Sequence, residues 1–167
     1  MSVADRFRWS LLRRRPLAGA GQAFVLLLRC FMALFFIAAT INKIRNGWAW
    51  TDYLQGQFLA RLDEIDPETF GAQFLETYAV PHYRAFGWMV TLGEGAVAIG
   101  LTLGLMTRTA AIGAMLLMFS FAIGGYYDAS LIALGLMFLP FVIWPTGHWL
   151  GLDRSLAQRY PNRIWFR

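Results

Sequence analysis

VTLGEGAVAIGLTLGLMTRTAAIGAM, residues 90–115, is built from apolar, small and hydroxyl-bearing residues apart from one carboxylate, Glu94, and one cation, Arg108. Such a run suits a helix in hydrocarbon, where about 20 residues at 1.5 Å each cross a core of about 30 Å. Further apolar runs flank it on both sides. Together they place spans near 23–41, 86–106, 110–126 and 131–144, between a basic segment 1–22, an outer loop 42–85 and a basic tail 148–167. Hydrophobic residues make up 57% of the 167-residue chain, more than a soluble domain of this length carries. Lipid offers no water to backbone N–H and C=O groups, so spanning segments are helices or closed barrels, and these runs lack the period of two of barrel strands. The expected fold is all-α, an integral membrane four-helix bundle with amphipathic helices in its long loop.

The net charge of +5 is unevenly placed. Arg6, Arg8, Arg13, Arg14 and Arg15 precede the first span, Arg108 joins the second and third, and Arg154, Arg159, Arg163 and Arg167 follow the last; Lys43, Arg45, Arg61 and Arg84 lie in the long loop. The excess of basic residues marks the cytoplasmic side, which puts both termini inside and the loop outside a bacterial cytoplasmic membrane. Arginines split around apolar spans leave no basic soluble fold for nucleic acid. The partner implied by composition is the lipid bilayer, with the 13–16 RRRP run at its headgroups. The basic start followed by a full-length span reads as an anchor without a removable signal peptide.

Within the loop, Leu54, Phe58, Leu62 and Ile65 recur at helical spacing among charged and amide residues, which predicts an amphipathic helix over 51–65. A second helix is expected at Asp66, with Asp66 as cap and Pro67 at the first position. Phe70, Phe74 and Tyr78 form its stripe. Such helices either cover the span ends or form the lid of an apolar ligand pocket or a partner's docking face.

A buried carboxylate needs a partner. Setting Ile41 level with Phe86, Arg29 lies about 18 Å and Glu94 about 12 Å below that level. The gap of about 6 Å makes Arg29 and Glu94 the candidate intramembrane polar pair. One alternative lets Arg29 reach the inner interface and leaves Glu94 alone; another has Glu94 hydrogen-bond or exchange protons with a ligand headgroup such as a quinone. Ala96, Gly100 and Gly104 repeat every four residues, a spacing that lets helices approach closely. Pro140 predicts a kink in the fourth span, and Gly124 with Gly125 an end or hinge in the third.

Other chemistry is excluded. His82 and His148 fall at opposite membrane faces, so they share neither haem nor metal, and no metal site is assigned. The single Cys30 forms no disulfide within the chain. Neither a phosphate-binding loop nor a nucleophilic triad is present, no inverted repeat marks a transporter, and no catalytic residue is assigned.

The runs LLLRCFMALFFIAATINKI (26–44), GEGAVAIGLTLGLMTRTAAIGAM (93–115) and GHWLGLDRSL (147–156) together resemble the DoxX family of small four-helix membrane proteins. The aromatic loop, with WAWTDYLQGQF and YAVPHYRAFGW, is similar to the branch holding the DoxD-like subunit of thiosulfate:quinone oxidoreductase. The resemblance runs over about residues 24–156, with Arg29, Lys43, Glu94 and Arg108 at family-pattern positions; INKI departs from the family's usual glycine before the lysine. It implies a membrane subunit of a redox assembly, with quinone as the cofactor it suggests and electrons supplied by a partner subunit. The competing expectation is a non-catalytic accessory subunit of a larger respiratory, photosynthetic or transport complex; a homo-oligomer stays open.

Overall fold

The computed structural model describes residues 16–163, so the arginines at 6–15 and Arg167 lie outside the described residues. Among the described residues every regular element is helical. Helix α1, Pro16–Arg45, is apolar on all faces, the pattern of a helix that contacts lipid and protein rather than water. Lys43 and Arg45 occupy its last turn, where cations meet the negative end of the helix dipole. Gly47, at φ 69°, then turns the chain.

The long segment that follows folds over one end of the bundle as a roof. It comprises α2, Tyr53–Glu64, then α3, Phe70–Phe74, which runs into a π-helical turn, Leu75–Ala79. Helix α2 lies where the spacing of Leu54 and Phe58 placed it. Helix α3 starts later than expected: Asp66 takes the N–H of Glu68 into a turn, and Thr69 is the cap, accepting from the Ala72 N–H at 3.3 Å. The aromatic stripe forms, with Phe70 on Phe74 at 6.5 Å and Phe74 near Tyr78 at 6.0 Å between ring centres.

Helix α4, Tyr83–Leu103, returns along α1 and ends at Gly104, whose φ of 60° suits a residue without Cβ. Helix α5, Thr107–Ile123, ends at Gly124 and Gly125, where the sequence placed a helix end. The last apolar run is split into α6, Ala129–Leu136, and α7, Leu139–Ile143. The break falls just ahead of Pro140, which has no N–H to continue a helix from α6 and sits instead in the first turn of α7. Two short helices, α8, Thr146–Trp149, and α9, Asp153–Arg159, close the other end of the bundle, here termed the tail end.

Helix α1 packs on α4, α4 on α5, α5 on α6 and α7, and α7 back on α1. Met32, Phe36, Leu101, Ala111, Phe138 and Phe141 fill the centre, with Phe36 edge-on to Phe138 at 5.6 Å. Outward, Phe24, Leu27, Phe31 and Leu34 of α1, Leu92 and Ile99 of α4 and Leu116 and Phe119 of α5 are all exposed. Exposed apolar faces on successive helices, rather than single residues, mark a surface made for lipid. Helices α1 and α4 are long and apolar enough to cross a membrane, while α5 and the α6–α7 pair are shorter.

The small residues at 96, 100 and 104 do three different things. A Cβ on Gly100 would come within 2.7 Å of the Ala110 Cβ, so Gly100 does let α4 approach α5; Gly104 ends the helix and meets Gly151; Ala96 is exposed. Only one of the three serves helix contact, because the α4 helix stops before its third member.

The tail end is tied by Asp153. Its carboxylate accepts from the N–H groups of Met106 and Thr107 at 2.5 and 3.0 Å and from the Thr107 hydroxyl at 2.8 Å, capping α5 from 46 residues away. Met106, at φ 48°, gives its N–H to that carboxylate. Asp153→Ala is expected to lower stability by about 2 kcal/mol, since a cap is lost and buried donors are stranded; thermal unfolding in detergent measures it.

Candidate functional site

Helices α1 and α4 run antiparallel, and their register is set by glycines. A Cβ on Gly95 would sit 3.7 Å from the Thr40 methyl, and one on Gly87 would lie 2.1 Å from the Trp48 carbonyl oxygen. Gly87 thus lets the turn after α1 settle directly on α4. Arg29 is then level with the turn beyond Leu103, about 18 Å from Glu94 along the helix, and Lys43 is about one residue rise or two from it.

The pairing of Arg29 with Glu94 is therefore corrected. Glu94 Oε1 lies 2.8 Å from Lys43 Nζ, and both side chains are buried. Arg29, also buried, turns to the tail end, where Nη1 donates to the Thr146 carbonyl at 2.7 Å and Nη2 to that of Leu150 at 2.5 Å. The physical reason is that Trp48 settles on Gly87 and Thr40 on Gly95, which slides the two helices about 12 Å from the alignment of Ile41 with Phe86. The alternative left Glu94 without a charge partner, and that too is corrected, since Glu94 pairs with Lys43.

Arg108 donates to the Ile143 carbonyl at 3.4 Å, joining α5 to the end of α7. His82 precedes α4 at the roof end with Nδ1 3.0 Å from the Tyr78 carbonyl, and His148 lies in α8 at the tail end. Among the described residues no group of histidine, cysteine and acidic side chains is placed to hold a metal ion.

Lys43 opens on a cavity of about 390 Å³ between the roof and the bundle, within the usual range of ligand pockets. The wall is almost wholly apolar and aromatic. Phe58 of α2, Phe74 of α3, Phe86 of α4, Phe121 of α5, Trp48 and Tyr126 contribute rings. The Lys43 ammonium sits 4.4 Å from the Trp48 ring centre and 5.9 Å from that of Phe121, so π-faces stabilise the cation alongside Glu94. Leu75 and Ala79 reach the cavity from the π-helical turn, an irregularity often found at functional sites. Glu94 Oε2, the Thr91 hydroxyl and the Trp48 indole N–H are buried without hydrogen-bond partners.

Three contacts hold the roof in place. The Tyr126 hydroxyl donates to the Gln57 carbonyl at 3.2 Å, Arg61 donates to the Gly125 carbonyl, and the Tyr83 hydroxyl donates to Asp52 with Arg84 alongside. The Tyr83 bond, then that of Arg84, holds the Asp52 carboxyl below its ordinary range.

Sequence reasoning singled out Glu94 but set Lys43 beyond the span, so it missed the pair, and with it Trp48, Phe121 and Tyr126 as cavity walls. The signal lay in Gly87, whose place opposite the loop sets the helix register. Comparison with curated proteins and with solved structures gives no match. The DoxX family model matches residues 24–126, from the first turns of α1 through the end of α5, stopping short of the 147–156 segment in which the resemblance was also read. The chain belongs to the DoxX family, a family of membrane proteins.

Proposed function

We propose that the protein is a multi-pass subunit of a bacterial cytoplasmic membrane that binds a quinone-type ring in the cavity under its roof. In this reading α1, α4, α5 and the α6–α7 pair are four crossings, the roof is external and both termini are cytoplasmic. A single observation carries it: one buried cation, Lys43, faces a ring-lined cavity whose other polar lining residues are Gln57, Ser120 and Tyr126. A flat ring stacks on such walls, and its carbonyl oxygen accepts from Lys43, whose remaining proton-bearing positions are not all used by Glu94. Glu94 holds the ammonium in place, and the aromatic roof excludes water, which strengthens that hydrogen bond. Quinone bound here supplies two-electron redox chemistry, with electrons arriving from a partner subunit, as the resemblance of the loop to the thiosulfate:quinone oxidoreductase branch suggests.

The test is a titration of the protein in nanodiscs with duroquinone, a ring bearing only methyl groups, followed by tryptophan quenching. Wild type should bind saturably. Val90→Phe, which fills the cavity from α4 and leaves Lys43 and Glu94 themselves unchanged, should weaken binding at least tenfold, about 1.4 kcal/mol. Unchanged affinity in that variant, or no saturable binding by the wild type, contradicts the reading and favours an accessory subunit without a ligand.

A further inference from the structure

A second space adjoins the cavity. A groove of about 680 Å³ runs down the outer surface between α4 and α5. Ser120 lines both spaces, and Met89 and Gly93 follow Phe86 and Val90 from the one into the other. From Gly93 the groove passes Ala96 and Gly100 to Leu105 and Met106 at the tail end, a path of about 18 Å along the helix. Its shape comes from absent side chains. At Gly113 an added Cβ would meet only the Val97 methyl, at 3.9 Å, and Ala96 is exposed.

We infer that this groove holds the long apolar tail of the same ligand whose ring occupies the cavity, so that the protein's ligand is a lipid-tailed quinone rather than a water-soluble one. The inference rests on the cavity reading above and adds a second subsite to it. The shared residue Ser120 selects this occupant: a substituent that leaves a ring seated beneath the roof past Ser120 meets the groove, which begins there. Apart from Thr109 and Ser120 the groove is lined by apolar and glycine residues, as an alkyl or isoprenoid chain requires. In a bilayer the tail gains little from leaving water, because lipid is as apolar as the groove. Its contribution is contact: a fixed chain against close-set helices makes many small dispersion gains that fluid lipid does not match. The groove thus sets selectivity by tail, and the cavity recognises the ring.

The experiment compares duroquinone with its decyl analogue on wild type and on Ala96→Phe, all in one detergent. The ratio of the two affinities in the variant, set against the same ratio in wild type, cancels partitioning of the tail into detergent. Ala96→Phe places a ring in the groove from an exposed position well away from Lys43 and should cut that ratio about tenfold while duroquinone binding is unchanged. Gly113→Leu fills the same groove from α5 and should do likewise, which guards against a defect peculiar to one substitution. If duroquinone binds and neither variant alters the ratio, the tail site is overturned and the cavity reading stands. A change in oligomer size in Ala96→Phe with the ratio unchanged gives the groove to a second copy and also overturns it. Binding of neither quinone by wild type overturns both.

Discussion

Lys43→Met is expected to destabilise the protein by about 3 to 5 kcal/mol, the usual result of removing one partner from a buried ion pair. Lys43 and Glu94 are both buried, at 2.8 Å, and the second carboxylate oxygen of Glu94 has no other partner. Methionine matches the length of the lysine stem, so the loss is of charge rather than volume. Glu94 is then left in an apolar interior with no donor, and the π-faces of Trp48 and Phe121 have no cation to hold. The midpoint of thermal unfolding in detergent should fall by several degrees. Adding Glu94→Gln to Lys43→Met should recover much of the loss, because a neutral amide no longer carries the full desolvation penalty of a carboxylate.

The second large effect is at the opposite end. Arg29→Leu should cost about 3 kcal/mol or more, since hydrogen bonds to a charged donor contribute roughly 1.5 to 3 kcal/mol each and two are lost. The carbonyls of Thr146 and Leu150 would be left without the guanidinium that joins α1 to the segment carrying α8. That segment also delivers Asp153 to the start of α5, so its loosening should spread to the turn at Met106. Hydrogen exchange should rise first in residues 146–159 and at 104–107, while the roof stays protected. Duroquinone binding should survive in Arg29→Leu, because Arg29 is about 18 Å from Glu94 along the bundle.

These two results separate what was legible in the sequence from what was not. The helical class follows from hydropathy alone, since lipid-facing helices such as α1 are apolar on every side, and the spacing of Leu54 and Phe58 marked α2 in the loop. Element ends were harder. Helix α5 starts at Thr107 because Asp153, 46 residues on, caps it; no local pattern announces that. The charge partners were harder still. A carboxylate in an apolar run can be found by eye, but its partner depends on helix register. That register was set by the approach of the Trp48 carbonyl to Gly87, a contact between backbone groups that leaves no apolar period to read. An offset of eight residues exchanged Lys43 for Arg29. The cavity was foreseen only as one reading of the amphipathic loop, because the spacing of Phe74 and Phe86 says nothing of the space between them.

The most direct test is a pair of double-mutant cycles on thermal stability, Lys43→Met with Glu94→Gln and Arg29→Leu with Glu94→Gln. The account predicts a coupling of about 2 kcal/mol or more between Lys43 and Glu94, and additivity within about 0.5 kcal/mol for Arg29 and Glu94, as expected for sites more than 10 Å apart. Coupling between Arg29 and Glu94 together with additivity for Lys43 would contradict it, and would move the polar centre away from the cavity.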